Sequence, residues 1–190
     1  MSRVIAISGL SGGGKTALTR ELLARLSGAR ALHFDDIPGQ LLPMDYCDWS
    51  EAGADYALWD LSALEDGLRG LLAQRPAYIL IDYPFGRAHP RIAPYLDFAV
   101  WIDTPLDIAL ARRMLRDYLR RDPARRAIER PMAHLEQSLD FYLARQRQAT
   151  LVHEATVRPG CDFAADGTLP IGETADHVME VLCVGNPLNL

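Results

Sequence analysis

Val4-Ile5-Ala6-Ile7-Ser8-Gly9-Leu10-Ser11-Gly12-Gly13-Gly14-Lys15-Thr16 decides the fold. Its first half is a short, β-branched apolar run, the pattern of a buried strand. Its second half fits GxxxxGK[ST]. Leu18, Leu22, Leu23 and Leu26 follow at helical spacing up to Gly28. Strand, glycine-rich loop and helix form the context in which that spacing cradles phosphate. Glycines let backbone N–H groups turn inward around phosphate oxygens, and the helix N-terminus adds a partial positive charge. Lys15 would reach the terminal phosphates, and the Thr16 hydroxyl would ligate Mg2+. Gly9 to Gly13 also fits GxSxG, the nucleophile elbow of a serine hydrolase, with Ser11 as nucleophile. That reading leaves Gly14, Lys15 and Thr16 unexplained and puts the nucleophile on the first strand, with no oxyanion loop before it.

Outward from the loop, strands alternate with helices. Residues 29–34 read as a strand ending at Asp35-Asp36. Ser62-Ala63-Leu64-Glu65 has the capping-box spacing and opens a helix to about Gln74. Tyr78-Ile79-Leu80-Ile81-Asp82 is an unbroken apolar run closed by an acid, as in a buried parallel strand. Residues 98–102 read as another strand. Asp103 is expected to cap the helix that follows Thr104-Pro105 and runs to about residue 121. A long helix is expected from Pro131 through Leu135, Leu139, Tyr142 and Leu143. A weak strand at 161–165 and a helix at 173–182 close the chain. Strands separated by helices imply βαβ units, a parallel sheet and ligands at the carboxyl ends of the strands. Residues 1–190 read as one domain, with an acceptor-side helical segment at about 40–75 and an arginine-rich segment at about 112–130.

Composition narrows the class. At 49% hydrophobic and 24% charged, the 190 residues suit one globular domain rather than a disordered chain. No apolar run approaches the ~18–20 residues that span a bilayer, and the apolar start runs into glycines rather than a cleavage site. A cytoplasmic protein without a membrane partner is expected. The net charge of −5 speaks against general nucleic-acid binding. Cys47, Cys161 and Cys183 have no CxxC spacing, and the five histidines have no paired-ligand spacing. The histidines are expected to be ordinary surface or core residues. Of the 20 basic residues only Lys15 is lysine, so the NKxD motif of the common GTPases is absent. Eight arginines fall between Arg112 and Arg130, against Asp117, Asp122 and Glu129. On an acidic chain such a segment suits an anionic ligand.

These residues point to phosphoryl transfer. Asp82 has the character of the acid that holds Mg2+ opposite the loop, with Thr16 and Asp35 as further candidate ligands. Asp35 or Asp36 would take the proton of an acceptor hydroxyl; Asp35, nearer the strand, is favoured. Lys15, Arg113 and Arg116 would stabilise the transferring group. Gly9, Ser11, Gly12, Gly13, Gly14, Lys15, Thr16 and Ala17, with Arg112 and Arg116, would hold the nucleotide. Tyr46, Trp49, Tyr56 and Trp59 could face an acceptor, with Asp45, Asp48, Asp55 and Asp60 binding its hydroxyls. Tyr83, Phe85 and Arg87 could join them. A neutral or cationic acceptor fits that acidity better than a phosphorylated one. A regulatory ATP-binding module without transfer is the alternative.

The loop, the acid pair and the run Arg112-Arg113-Met114-Leu115-Arg116-Asp117 resemble the P-loop nucleoside and nucleotide kinases, and the uridine kinase-like proteins among them. The resemblance covers residues 1–126, with a closing strand and helix at 161–182. It implies a three-layer α/β/α fold with a five-stranded parallel sheet in order 2-3-1-4-5. It also implies ATP and Mg2+, a small-molecule acceptor, a lid built from the arginines, and Asp166-Gly167-Thr168-Leu169-Pro170 near the adenine. A homodimer stays open. Asp35-Asp36-Ile37-Pro38 and Asp82-Tyr83-Pro84-Phe85-Gly86 depart from the sequences that uridine kinases carry at those places, which leaves the acceptor undetermined.

Overall fold

The computed structural model describes residues 2–36, 38, 42–119 and 132–184. Five parallel strands, β1 (Arg3–Gly9), β2 (Ala29–His33), β3 (Tyr78–Asp82), β4 (Phe98–Asp103) and β5 (Phe163–Asp166), form one sheet in order β2-β3-β1-β4-β5. The order implied by the resemblance is the order observed. Seven helices accompany the sheet among the described residues: α1 (Lys15–Arg25), α2 (Tyr46–Glu51), α3 (Ser62–Ala73), α4 (Leu106–Met114), α5 (Met132–Phe141), α6 (Arg147–Val157) and α7 (Ile171–Val184).

Strand side chains alternate between two faces. Val4 and Ala6 of β1, Ile79 and Ile81 of β3, and Ala99 and Trp101 of β4 join one core with Leu61, Leu64 and Leu68 around α3. Ile5, Ile7, Leu80, Val100 and Ile102 join the other with Leu18 and Leu22 of α1 and Val178 and Leu182 of α7. Each fully buried aliphatic side chain stabilises by about 1.5–3 kcal/mol, against about 1 kcal/mol or less for an exposed ion pair. The two apolar layers therefore hold the fold, and the surface charges adjust it.

Several local expectations change. β2 stops at His33, and Phe34–Asp36 form a 3-10 turn. α4 passes at Leu115 into a π-helical turn, Leu115–Leu119. Arg120, Arg121 and the rest of the arginine segment to 130 lie outside the described residues. The long helix expected from Pro131 is broken by a second π-turn, Tyr142–Gln146, between α5 and α6. Asp103 does not cap α4; its Oδ2 accepts from Arg158 at 2.6 Å, while Thr104 ties the strand end to the loop after β1 through the Gly13 carbonyl at 2.9 Å.

The capping box also resolves differently. Asp60 is the residue that meets the start of α3, accepting from the backbone N–H and hydroxyl of Ser62 at 3.0 and 2.6 Å. Glu65 is thereby released to a surface cluster, where it accepts from Tyr95 at 2.7 Å, Arg91 at 2.9 Å and Arg69 at 2.6 Å. The Tyr95 hydroxyl first, then Arg91, hold its carboxyl well below the usual range, to about 2. Its contribution is complete above the ordinary value of 4.5 and is lost as pH falls toward 2. Glu65→Gln should lower the thermal midpoint at neutral pH. The gap from wild type should close as pH drops through that window, and a gap independent of pH would contradict this account.

Candidate active site

The carboxyl ends of β1, β2 and β3 and the start of α4 open into one cleft of about 920 Å3. The glycine-rich loop forms its floor. At Gly12 (φ +87°) an added Cβ would stand 2.1 Å from the Ala109 carbonyl oxygen, so the loop lies on the backbone of α4 where only glycine fits. Gly14 (φ +106°) turns the chain into α1, whose N-terminus has no side-chain cap. Its first N–H groups are left to an anion.

Lys15 folds back over the loop and donates to the carbonyls of Gly9 and Leu10 at 3.1 and 3.2 Å. Burial lowers its pKa, opposed by the carboxylates of Asp82 and Asp35. Thr16 donates its hydroxyl to Asp82 Oδ2 at 2.6 Å, and His33 Nδ1 lies 3.1 Å from the same oxygen. A carboxylate only accepts, so His33 carries its proton on Nδ1.

The arginines approach from α4 and the turn after it. Arg112 donates to the Gly167 carbonyl at 2.9 Å, within the segment 166–170. Arg113 donates to Gln146 Oε1 at 3.1 Å and stands 3.8 Å from Asp117. Arg116 meets both oxygens of Asp117 at 2.7 and 3.3 Å. That pairing, and secondarily the charge of Asp35, raise the Arg116 pKa. The charge of Asp35 thus acts on both Lys15 and Arg116.

Gly9, Ser11, Gly12, Gly14, Lys15, Thr16, Ala17, Asp35, Asp36, Tyr46, Asp82, Arg112, Arg113 and Arg116 all line this cleft. Gly13 is buried, its carbonyl taken by Thr104. Ser11 makes no hydrogen bond to a histidine among the described residues, so the hydrolase arrangement is not assembled there. Trp49, Tyr56 and Tyr83 are buried in the core behind the cleft and do not line it, which corrects the expectation that they face an acceptor. Arg87 is turned away, donating to the Leu96 carbonyl at 2.8 Å and Asp162 at 2.6 Å.

The acids expected at the acceptor have other partners. Asp45 and Asp55 cap the turns that follow them, and Asp48 pairs with Arg145 at 2.7 Å. The acceptor-side wall consists instead of Phe34, Trp59 and Phe85, with Tyr46, which donates to the Ala149 carbonyl of α6 at 3.3 Å, and with Tyr142, Gln146, Thr150 and His153. The last four recur every three or four residues, the spacing of one helix face. That spacing is visible in the sequence and was the signal that could have found them.

His153 is a buried core histidine, as expected, and it also borders the cleft. Its Nε2 lies 3.1 Å from the Pro84 carbonyl and must donate; its Nδ1, 3.0 Å from the Tyr56 hydroxyl, must accept. The neutral ring thus pins α6 to the loop after β3. Burial pushes its pKa down to about 4, and the charge of Lys15 adds to the lowering.

Solved structures of several kinases share this fold. Residues 73–157, less than half of the chain, match the profile of the Phosphoribulokinase / Uridine kinase family. The match thus takes in α6, beyond the stretch over which the sequence motifs carry the resemblance. Similar solved structures include a deoxyadenosine kinase from M. mycoides, with 14% identity, a TM-score of 0.52, and 95% of this chain and 99% of that one covered. A shikimate kinase from Bacteroides thetaiotaomicron has 14% identity and a TM-score of 0.54, over 95% and 98% of the two chains. A sugar kinase from Janibacter sp. HTCC2649 has 14% identity and a TM-score of 0.56, over 96% and 95%. No curated protein matches the chain in sequence. No described helix is long and apolar enough to cross a membrane.

Between its ordinary value of 6.5 and about 4, His153 takes up a proton only in the unfolded chain. Stability should therefore fall as pH drops through that window. His153→Gln should flatten this slope in urea unfolding curves; an unchanged slope would mean that another group carries it.

Proposed function

We propose that the chain is an ATP-dependent phosphotransferase that phosphorylates a hydroxyl of a nucleoside or similar small metabolite carrying no phosphate. One observation supports this most: the phosphate loop and the Thr16–Asp82 pair share a single cleft with a second, exposed carboxylate, Asp35. That second acid suits an acceptor hydroxyl that must lose a proton.

In this reading Lys15, the first N–H groups of α1 and Arg116 hold the terminal phosphates in line with the acceptor. Asp35 accepts the proton as the acceptor oxygen bonds to the γ-phosphorus. The bond from that phosphorus to the bridging oxygen of ADP breaks, leaving ADP and a phosphate monoester. Arg113 and Arg116 exchange Asp117 and Gln146 for phosphoryl oxygens and exclude water.

The residues present fit Mg2+. Thr16 and Asp82 are hard oxygen donors in contact, and no group of three or more potential ligands forms an all-protein cage among the described residues. Mg2+ suits such a site because it keeps waters and takes phosphate oxygens as ligands. When bound, it supplies charge neutralisation of the β- and γ-phosphates.

The fold neighbours are named for three unlike compounds, so the fold does not select the acceptor. The lining does. Phe34, Trp59, Phe85, Tyr46 and Tyr142 offer flat apolar surface, and Asp35 and Asp36 disfavour an acceptor that already carries phosphate there. The protein acts as a cytoplasmic enzyme in this reading.

ADP release from Mg·ATP, measured against nucleosides, sugars, vitamins and aminoglycoside-like compounds, tests the proposal. One compound should raise release many-fold and gain the mass of a phosphate ester, whereas nucleoside monophosphates should not. Lys15→Ala should reduce that rate on the order of 100-fold or more. A flat panel with tight ATP binding would favour a regulatory ATP-binding module. Asp35→Ala should lose about 100-fold or more in kcat while still binding nucleotide, and Asp36→Ala should lose much less. The reverse order would assign the base to Asp36.

A further inference from the structure

We propose that His33 is a positioning residue of the nucleotide–metal site: it fixes the Asp82 carboxylate so that Oδ1 meets the bound cation. The inference rests on reading the cleft as a site for Mg2+ with nucleotide.

The sheet itself makes the pair. In the parallel register of β2 and β3, His33 lies opposite Asp82; on the other side Ile7 of β1 does so. The imidazole is therefore anchored to a neighbouring strand rather than to a loop. Asp82 is nearly buried, with 8% of its side chain exposed, and His33 borders the cleft with 24% exposed.

Both donors land on one oxygen. Thr16 Oγ1 is 2.6 Å and His33 Nδ1 3.1 Å from Asp82 Oδ2. Oδ1 accepts no hydrogen bond among the described residues. The outer torsion of an aspartate is broad and two-fold, so a single bond from Thr16 can be made by either carboxylate oxygen. A second donor, fixed on β2, removes that degeneracy. Oδ2 stays with the protein and Oδ1 is left for the cation or its water. Thr16 keeps lone pairs while it donates, so its hydroxyl can serve both partners. A donor behind a ligating group is worth about 10–100-fold in metal affinity where such shells have been probed.

The sequence hides this role. His33 has no motif spacing to Asp82, and only the strand pairing brings the two together. The proposal also separates His33 from the acid pair two and three residues further on. Those acids face the acceptor, whereas His33 acts through Asp82.

Mn2+ in place of Mg2+ gives a readout independent of turnover. The full chain with ADP is titrated with Mn2+, and free Mn2+ is followed by electron paramagnetic resonance. His33→Leu should weaken Mn2+ binding about tenfold. His33→Asn, whose amide N–H can stand where Nδ1–H stood, should restore it to within about twofold. In an Asp82→Ala background His33→Leu should add nothing. His33→Phe keeps the ring bulk without the donor, and is the comparison to use if His33→Leu does not fold. Wild-type affinity in both apolar variants, or equal loss in His33→Asn, would overturn the positioning role. If wild type binds ADP but no Mn2+, the metal-site reading fails and His33 falls with it. That outcome is distinct from a wild type that binds Mn2+ and is indifferent to His33.

Discussion

The parallel pairing of β1 between β3 and β4 is the constraint on which the site depends. Register sets Ile7 beside Asp82 on one side and Gly9 beside Ile102 on the other. All carboxyl ends then face one edge, and the phosphate loop leaves the sheet between two strands whose last residues hold it. Asp82 takes the Thr16 hydroxyl; Thr104 takes the Gly13 carbonyl. A slip of one residue would exchange the faces of every strand, sending Ile5 and Ile7 to the wrong core and Asp82 away from Thr16. The apolar alternation that stabilises the two layers is therefore also what places the two candidate metal ligands within a hydrogen bond of each other.

Within that frame the cations are held before any anion arrives. Lys15 is on carbonyls, Arg112 on the Gly167 carbonyl, Arg113 on Gln146, and Arg116 on Asp117. Most of these partners are neutral oxygens. A phosphate oxygen carries far more negative charge than a carbonyl oxygen, so the exchange of these cations onto phosphate favours the ligand. Asp117 is the exception, because it sits between two arginines and competes as a charge. It keeps Arg113 and Arg116 near one another, which lowers the entropy lost when a phosphoryl group replaces it. One π-turn follows Arg113 two residues on, and the other ends at Gln146, which accepts from Arg113. Such turns interrupt the helical ladder where side chains must be redirected.

The sheet order followed from the family resemblance, whereas the phosphate loop, the parallel sheet and the acids Asp35 and Asp82 at strand ends were legible in the sequence. They depend on patterns that chain spacing itself encodes: strand, glycines, helix, and an acid closing an apolar run. What was not legible depends on contacts between distant segments. His33 reaches Asp82 across 49 residues and Tyr56 reaches His153 across 97, and no local pattern announces either. The face Tyr142, Gln146, Thr150, His153 was periodic enough to read, but its apolar neighbours Leu139 and Leu143 drew the helix as ordinary packing. Leu143 is instead largely exposed.

The acids between residues 45 and 60 show why composition misleads about a binding pocket. Asp45, Asp55 and Asp60 each have an unsatisfied backbone N–H two residues ahead, and they take it. A short carboxylate finds that donor more cheaply than it finds a ligand, because the turn it closes is local. Asp48 lies on the outer face of α2, within reach of Arg145. The aromatics divide by the same logic. Trp49 donates its indole N–H to the Asp55 carbonyl and packs edge-on against Tyr56, whereas Trp59 and Phe85 meet Phe34 at the cleft. The back row makes the front row rigid. What remains to greet an acceptor is therefore mostly flat and apolar, with its charge gathered at Asp35 and Asp36. In the proposed reading such a wall would orient an acceptor by shape and by its own hydroxyl, leaving the acids for the proton it must lose.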